Sequence, residues 1–170
     1  MSSASQGTAQ AKTFAYRLFT HCGVTSITLH GRLYYVAAVD PWSVTAGLTN
    51  PEDDGSMTVV SEHELRFSDP QGNVVPFTDQ PPGTVGVAYP FRIHIHSGGD
   101  AIMDVAFAGR RWHATGTLPG VHGLAYGNGE DRSSDVDGTM TLLQSGDAVF
   151  RTASGASVTF LQVPEPIGCD

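Results

Sequence analysis

Lysine occurs once, at Lys12, and Lys and Arg together number 9 against 17 Asp and Glu, so the 170-residue chain carries a formal charge of −8. A chain this poor in basic side chains lacks the cationic footprint that a phosphate backbone demands, which excludes nucleic acid as a general partner. Long apolar runs are also missing. None approaches the roughly 20 residues of a membrane helix, so no transmembrane segment is expected. No window of about eleven residues carries a helical apolar stripe, which argues against a helical fold. Gly-x-Ser-x-Gly, P-loop and His-Glu-x-x-His patterns are absent, leaving the motif-bearing hydrolase and nucleotide-binding classes without support. The start of the chain, residues 1–12, has neither the charged beginning nor the apolar stretch of a secretory signal and reads as a flexible polar tail.

Cysteine is scarce: Cys22 and Cys169 stand near opposite ends, far from the CxxC spacing of a metal or redox motif. One reading is a clasp, worth about 4–5 kcal/mol in the loop-entropy model and placing the protein in an oxidising, secreted or surface compartment. The other is a pair of free thiols in a cytoplasmic protein.

What is present is an internal duplication. Asp54-Gly55-Ser56-Met57-Thr58 matches Asp137-Gly138-Thr139-Met140-Thr141 at an offset of 83, which also carries Phe67 onto Phe150, Gly72 onto Gly155 and Phe77 onto Phe160. Phe14 to Gly23 lies over Tyr89 to Gly98 at an offset of 75, and Leu29-His30-Gly31-Arg32 over Phe107-Ala108-Gly109-Arg110 at 78. The offset grows only where turns and loops tolerate insertion. Each half reads as six short strands rich in Val, Ile, Thr, Phe and Tyr and bounded by Gly, Asp, Pro or Asn. They are 14–20, 24–29, 32–39, 55–60, 63–68 and 73–78, then 88–96, 101–107, 110–117, 138–143, 147–152 and 156–163. His30-Gly31 and Ala108-Gly109 read as tight hairpin turns.

The expected fold is therefore all-β: two tandem homologous six-strand units packed as a pseudo-twofold barrel or sandwich. Residues 1–12 form a tail, 13–78 the first repeat, 79–87 a Pro/Gly linker, 88–163 the second repeat and 164–170 a C-terminal tail. Loops 40–54 and 118–137 occupy equivalent places, and loops of that length commonly cover or bind something. Their acidic runs, Glu52-Asp53-Asp54 and Asp131 to Asp137, read as solvated loop residues with oxygens that suit calcium.

Two site hypotheses follow. Arg17 and His21 recur as Arg92 and His96, four apart and hence on one strand face. Brought together, the four residues would make a cationic pocket for a small carboxylate or phosphate, with Arg giving bidentate hydrogen bonds. The competing account is structural, with His satisfying a turn and Arg pairing with Asp or Glu. Separately, His94 and His96 at i and i+2 can chelate a metal if joined by a third ligand, for which Asp100, Asp104, His113 and His122 are the nearest candidates. Glu62-His63-Glu64 is a further acid-base cluster at a predicted hairpin.

His94-Ile95-His96, the acid Asp100 and then Pro119-Gly120-Val121-His122 resemble the two metal motifs of the cupins. That resemblance implies zinc, iron or manganese held by His94, His96, Asp100 and His122. The chain departs from the cupin pattern in having Asp for Glu and Ala88 where a Gly is expected. Thr20-His21-Cys22-Gly23 after an aromatic strand, a Gly-Arg-aromatic turn, Gly-Thr-Met-Thr-Leu-Leu and a final Cys resemble small actinobacterial β-proteins of uncharacterised role. This second resemblance implies the fold unit and the pairing of Cys22 with Cys169, and no activity. The leading expectation is a non-catalytic binding or structural β module without cofactor, contacting an unknown protein or a small anionic ligand. The alternative is a cupin-like metal-dependent enzyme using His94 and His96.

Overall fold

The structure is a computed structural model describing residues 11–21, 23–95, 104–118 and 134–164. The first unit contains β1 (Lys12–Phe19), β2 (Ser26–Leu29), β3 (Arg32–Val36), β4 (Glu52–Val59), β5 (Glu64–Ser68) and β6 (Val74–Thr78). The second contains β7 (Ala88–Ile95), β8 (Val105–Phe107), β9 (Arg110–Ala114), β10 (Ser134–Leu142), β11 (Ala148–Thr152) and β12 (Ser157–Val163). Among the described residues the only helix is one turn, α1 (Trp42–Thr45), between β3 and β4.

Each unit forms one antiparallel sheet with the same strand order, β1-β4-β5-β6-β3-β2 and β7-β10-β11-β12-β9-β8. The registers superpose as well as the orders. Tyr16 faces Gly55 as Phe91 faces Gly138. Met57 faces Phe67 as Met140 faces Phe150, and Val36 faces Phe77 as Ala114 faces Phe160. These pairs are related by the three offsets read from the sequence, because the side-chain period of a strand is two and a slip would expose the whole apolar face. Both short hairpins have positive φ at both central residues, His30 (51°) and Gly31 (79°), Ala108 (52°) and Gly109 (69°), which is the turn that matches the twist of its flanking strands.

The strand order forces the sheet to curl. β1 and β2 occupy opposite edges, which in a flat six-stranded sheet would lie about 24 Å apart. The link between them is residues 20–25, and it spends part of its length on a turn in which Gly23 N–H donates to Thr20 O at 3.0 Å. One sheet is accordingly a half-barrel and the other a nearly closed barrel. Inward-facing side chains fill each separately: Val36, Met57, Leu65, Phe67, Val75 and Phe77 in the first, and Phe107, Trp112, Met140, Phe150, Val158 and Phe160 in the second. Each large buried side chain contributes about 1.5–3 kcal/mol, so each unit has a core of its own.

Two strands begin earlier than the sequence suggests. β4 starts at Glu52 and β10 at Ser134, so Glu52-Asp53-Asp54 and Asp135 to Asp137 are strand residues, not loop. The cause lies across the ladder. Arg17 and Arg92 pair with the outward carboxylates, and Asp53, which faces inward, is buried and accepts the Thr49 N–H at 2.9 Å. Acidic residues that look loop-like in isolation are thus held in the sheet by partners distant in sequence.

The units touch through dissimilar surfaces. Ala108 N–H in the second hairpin donates to Val39 O at 2.6 Å, and Val39 packs on the second core. A Cβ placed on Gly109 would lie 2.9 Å from both Pro82 Cδ and Tyr35 Cβ. The equivalent Gly31 has nothing within 4 Å.

Candidate functional site

Of the repeated Arg/His pattern the structure describes Arg17 and His21 in the first unit and Arg92 in the second. On β1, Arg17 Nε donates to Asp54 Oδ1 at 2.7 Å, and its Nη1 lies 3.5 Å from Glu52. On β7, Arg92 Nε donates to Asp137 Oδ1 at 2.8 Å, with Nη1 3.5 Å from Asp135. The match arises because Asp54 and Asp137 are the register partners of the two arginines. Hydrogen bonding to Asp54 or Asp137, then the charges of the neighbouring carboxylates, hold both guanidinium groups above their ordinary pKa. Two carboxylates surround each arginine, so neither cluster carries local positive charge.

His21 closes the end of β1. Its N–H and that of Thr20 both donate to Pro51 O, and its Nδ1 is 3.0 Å from Asn50 Oδ1. These bonds fix the 40–51 loop against the strand end. Val44 and Leu48 pack on the first core, and Thr45, buried, donates to Pro41 O. Trp42 points the other way. Asp40 Oδ1 accepts its N–H at 3.1 Å, so the indole, 66% exposed, stands on an anchored turn. Phe19, at the end of β1, is 62% exposed.

Of the metal-ligand candidates, His96, Asp100 and His122 lie outside the described residues, as do Cys22 and Cys169. His94 is placed on β7 opposite Asp135. His113 and Asp104 pair with each other, Nδ1 to Oδ1 at 2.7 Å. Among the described residues no three His, Cys, Asp or Glu side chains converge as metal ligands.

A different pair of equivalent positions shows the greater contrast. Arg32 in the first unit and Arg110 in the second both open the inward face of their strands, just after the hairpin turn. Arg32 is fully engaged: Nη2 donates to Asp79, Nη1 donates to Glu62 O at 3.0 Å, and Nη2 lies 3.3 Å from His63 Nδ1. The guanidinium carbon sits 5.7 Å from the centre of the Tyr34 ring. Asp79, whose side chain is 9% exposed, also bonds His63 Nδ1 at 2.7 Å. That hydrogen bond and the charges of His63 and Arg32 hold the Asp79 carboxyl below its ordinary pKa, although desolvation opposes them.

In the second unit the offset of 83 puts Gly146 where His63 stands and Gln162 where Asp79 stands. Arg110, half-buried, meets no carboxylate of a described residue. Beside it is a cavity of about 420 Å³ lined by Val85, Leu142, Leu143, Gln144, Gly146 and Asp147. Sequence reading passed over Arg32, Asp79 and Arg110, yet the signal was in the duplication: the arginine persists at offset 78 while both of its partners are replaced at offset 83.

Set beside protein-family models, curated proteins and solved structures, the chain matches none of them. Fold and sites together define a duplicated six-strand antiparallel β protein, with a separate core in each unit and differently furnished ends.

Proposed function

We propose that the chain is a non-catalytic binding module for a protein partner, docking through the 40–51 loop of the first unit. The observation that carries this reading is Trp42, two-thirds exposed on a turn whose Val44 and Leu48 are partly buried against the first core. Placing a large aromatic in water forgoes burial energy, while a rigid backbone beneath it lowers the entropy lost on docking, the combination found in interface hot spots. Phe19 extends the same chemistry, and the bonds from Thr20 and His21 to Pro51 tie its strand end to the loop.

The test is a photo-crosslinking amino acid at position 42, with position 74, an exposed valine on β6, as control. A discrete adduct from 42 and none from 74 is expected, and the partner so defined, once purified, should bind Trp42→Ala at least about tenfold more weakly. Equal adducts from both positions, or unchanged affinity, would overturn the reading. Metal analysis guards the other side: stoichiometric zinc, iron or manganese, lost in the His94→Ala/His96→Ala double variant, would instead establish a cupin-like metal-dependent enzyme.

A further inference from the structure

We infer that the cavity beside Arg110 is a binding site for a small monocarboxylate with a short apolar tail. The inference is independent of the partner-docking reading, since it concerns the opposite unit and different residues. The first unit shows how this scaffold uses the arginine: Asp79, a largely buried carboxylate just after β6, fills the position in front of Arg32, and His63 and Glu62 close over it. At the matching place on β12 stands Gln162, neutral and exposed, and the hairpin residue that would close the end is Gly146. The second unit has therefore kept the guanidinium without that internal anion, and an open cavity lies beside Arg110, lined also by Gly146 at the place of His63.

The rest of the cavity narrows the ligand class. A half-buried guanidinium offers bidentate hydrogen bonds to a planar carboxylate, and such charge-assisted bonds strengthen as water is excluded. Val85, Leu142 and Leu143 supply apolar wall for a tail of a few carbons. Asp147, whose Oδ2 accepts from Ser145 Oγ at 2.8 Å, adds a negative charge to the lining. A cavity lined by one arginine and one aspartate can accept a single added negative charge but repels a second, so a monocarboxylate is favoured over a phosphate dianion.

Backbone amide shifts in ¹H–¹⁵N spectra of the full chain test this, titrated at neutral pH with 4-methylpentanoate, with its amide and with inorganic phosphate. Saturable shifts at 110 and 142–147, absent around 32, 63 and 79, are expected from the acid. The amide and phosphate should bind at least about tenfold more weakly, the usual worth of a charge-assisted pair. Arg110→Gln should lose binding by a similar factor. Gln162→Asp should do the same by placing a carboxylate at the position that matches Asp79, and because residue 162 is exposed the fold tolerates it. Amide or phosphate binding equal to the acid, shifts centred elsewhere, no saturable shift at all, or affinity unchanged in Arg110→Gln or Gln162→Asp would each overturn the inference.

Discussion

Replacing Gly138 by alanine inserts one methyl group into the tightest point of the second barrel. A Cβ there would stand 2.5 Å from Phe150 Cζ and closer still to Arg151 O. The φ of Gly138 is not in the left-handed region, so the cost is steric and not a matter of backbone preference. Phe150 is fully buried and opposite Met140, so its ring has little room to swing aside, and the Arg151 carbonyl belongs to the neighbouring strand. Overpacking of this kind costs about 1–3 kcal/mol, and a backbone obstacle puts Gly138→Ala at about 3. For a chain of this length that lowers the melting midpoint by about 6–12 °C. Gly116→Ala is the control, since a Cβ there meets nothing within 4 Å, and it should stay within about 0.5 kcal/mol of the parent. Urea titration at constant m-value gives the difference directly. In a double-mutant cycle, Phe150→Leu should recover part of the Gly138→Ala loss, by about 1 kcal/mol, because the ring but not the carbonyl is relieved. Gly138→Ala and Gly116→Ala indistinguishable in stability, or no coupling to Phe150, would refute the packing argument.

The Asp79 carboxyl, held below its ordinary pKa by His63 and Arg32, contributes stability that is present above the unfolded-state pKa of about 3.9 and is lost as pH falls through the folded value. Asp79→Asn should therefore be less stable than the parent at pH 7, with the two urea midpoints converging in acid; a constant gap would count against the ion pair. Arg17→Ala and Arg92→Ala remove pairs whose arginine side chains are 62–63% exposed and whose aspartates are 74–75% exposed, so each should move the melting midpoint far less than Gly138→Ala, by an amount that shrinks with added salt. A large, salt-insensitive loss would give these arginines another role. For Cys22 and Cys169, which lie outside the described residues, we propose the clasp; mass spectrometry without reductant should find the chain two hydrogens lighter than the reduced form, and two free thiols in an oxidising preparation would dismiss it.

Much of the scaffold was legible because it depends on local rules repeated twice. Alternating apolar residues located all twelve strands, and glycine at 31, 72, 109 and 155 marked turns that have positive φ in the structure. The starts of β4 and β10 differ from expectation because Glu52, Asp53 and Asp54 have low strand propensity alone; Arg17 across the ladder holds Glu52 and Asp54 in the sheet, and the Thr49 N–H satisfies Asp53. The Arg17 and Arg92 pattern was visible, but its surroundings were not: whether a repeated arginine faces a ligand or a carboxylate is set by register, and here Asp54 and Asp137 face it.

The sequence by itself determined the duplicated all-β architecture, since hydrophobic periodicity and turn chemistry act between neighbours a few residues apart. Tertiary structure alone decided which polar groups meet. Asp79 reaches Arg32 across 47 residues of chain, and the cavity beside Arg110 is lined by residues from the 79–87 segment, β9 and the β10–β11 hairpin. Those pairings rest on sheet curvature and side-chain direction, which a one-dimensional pattern does not carry.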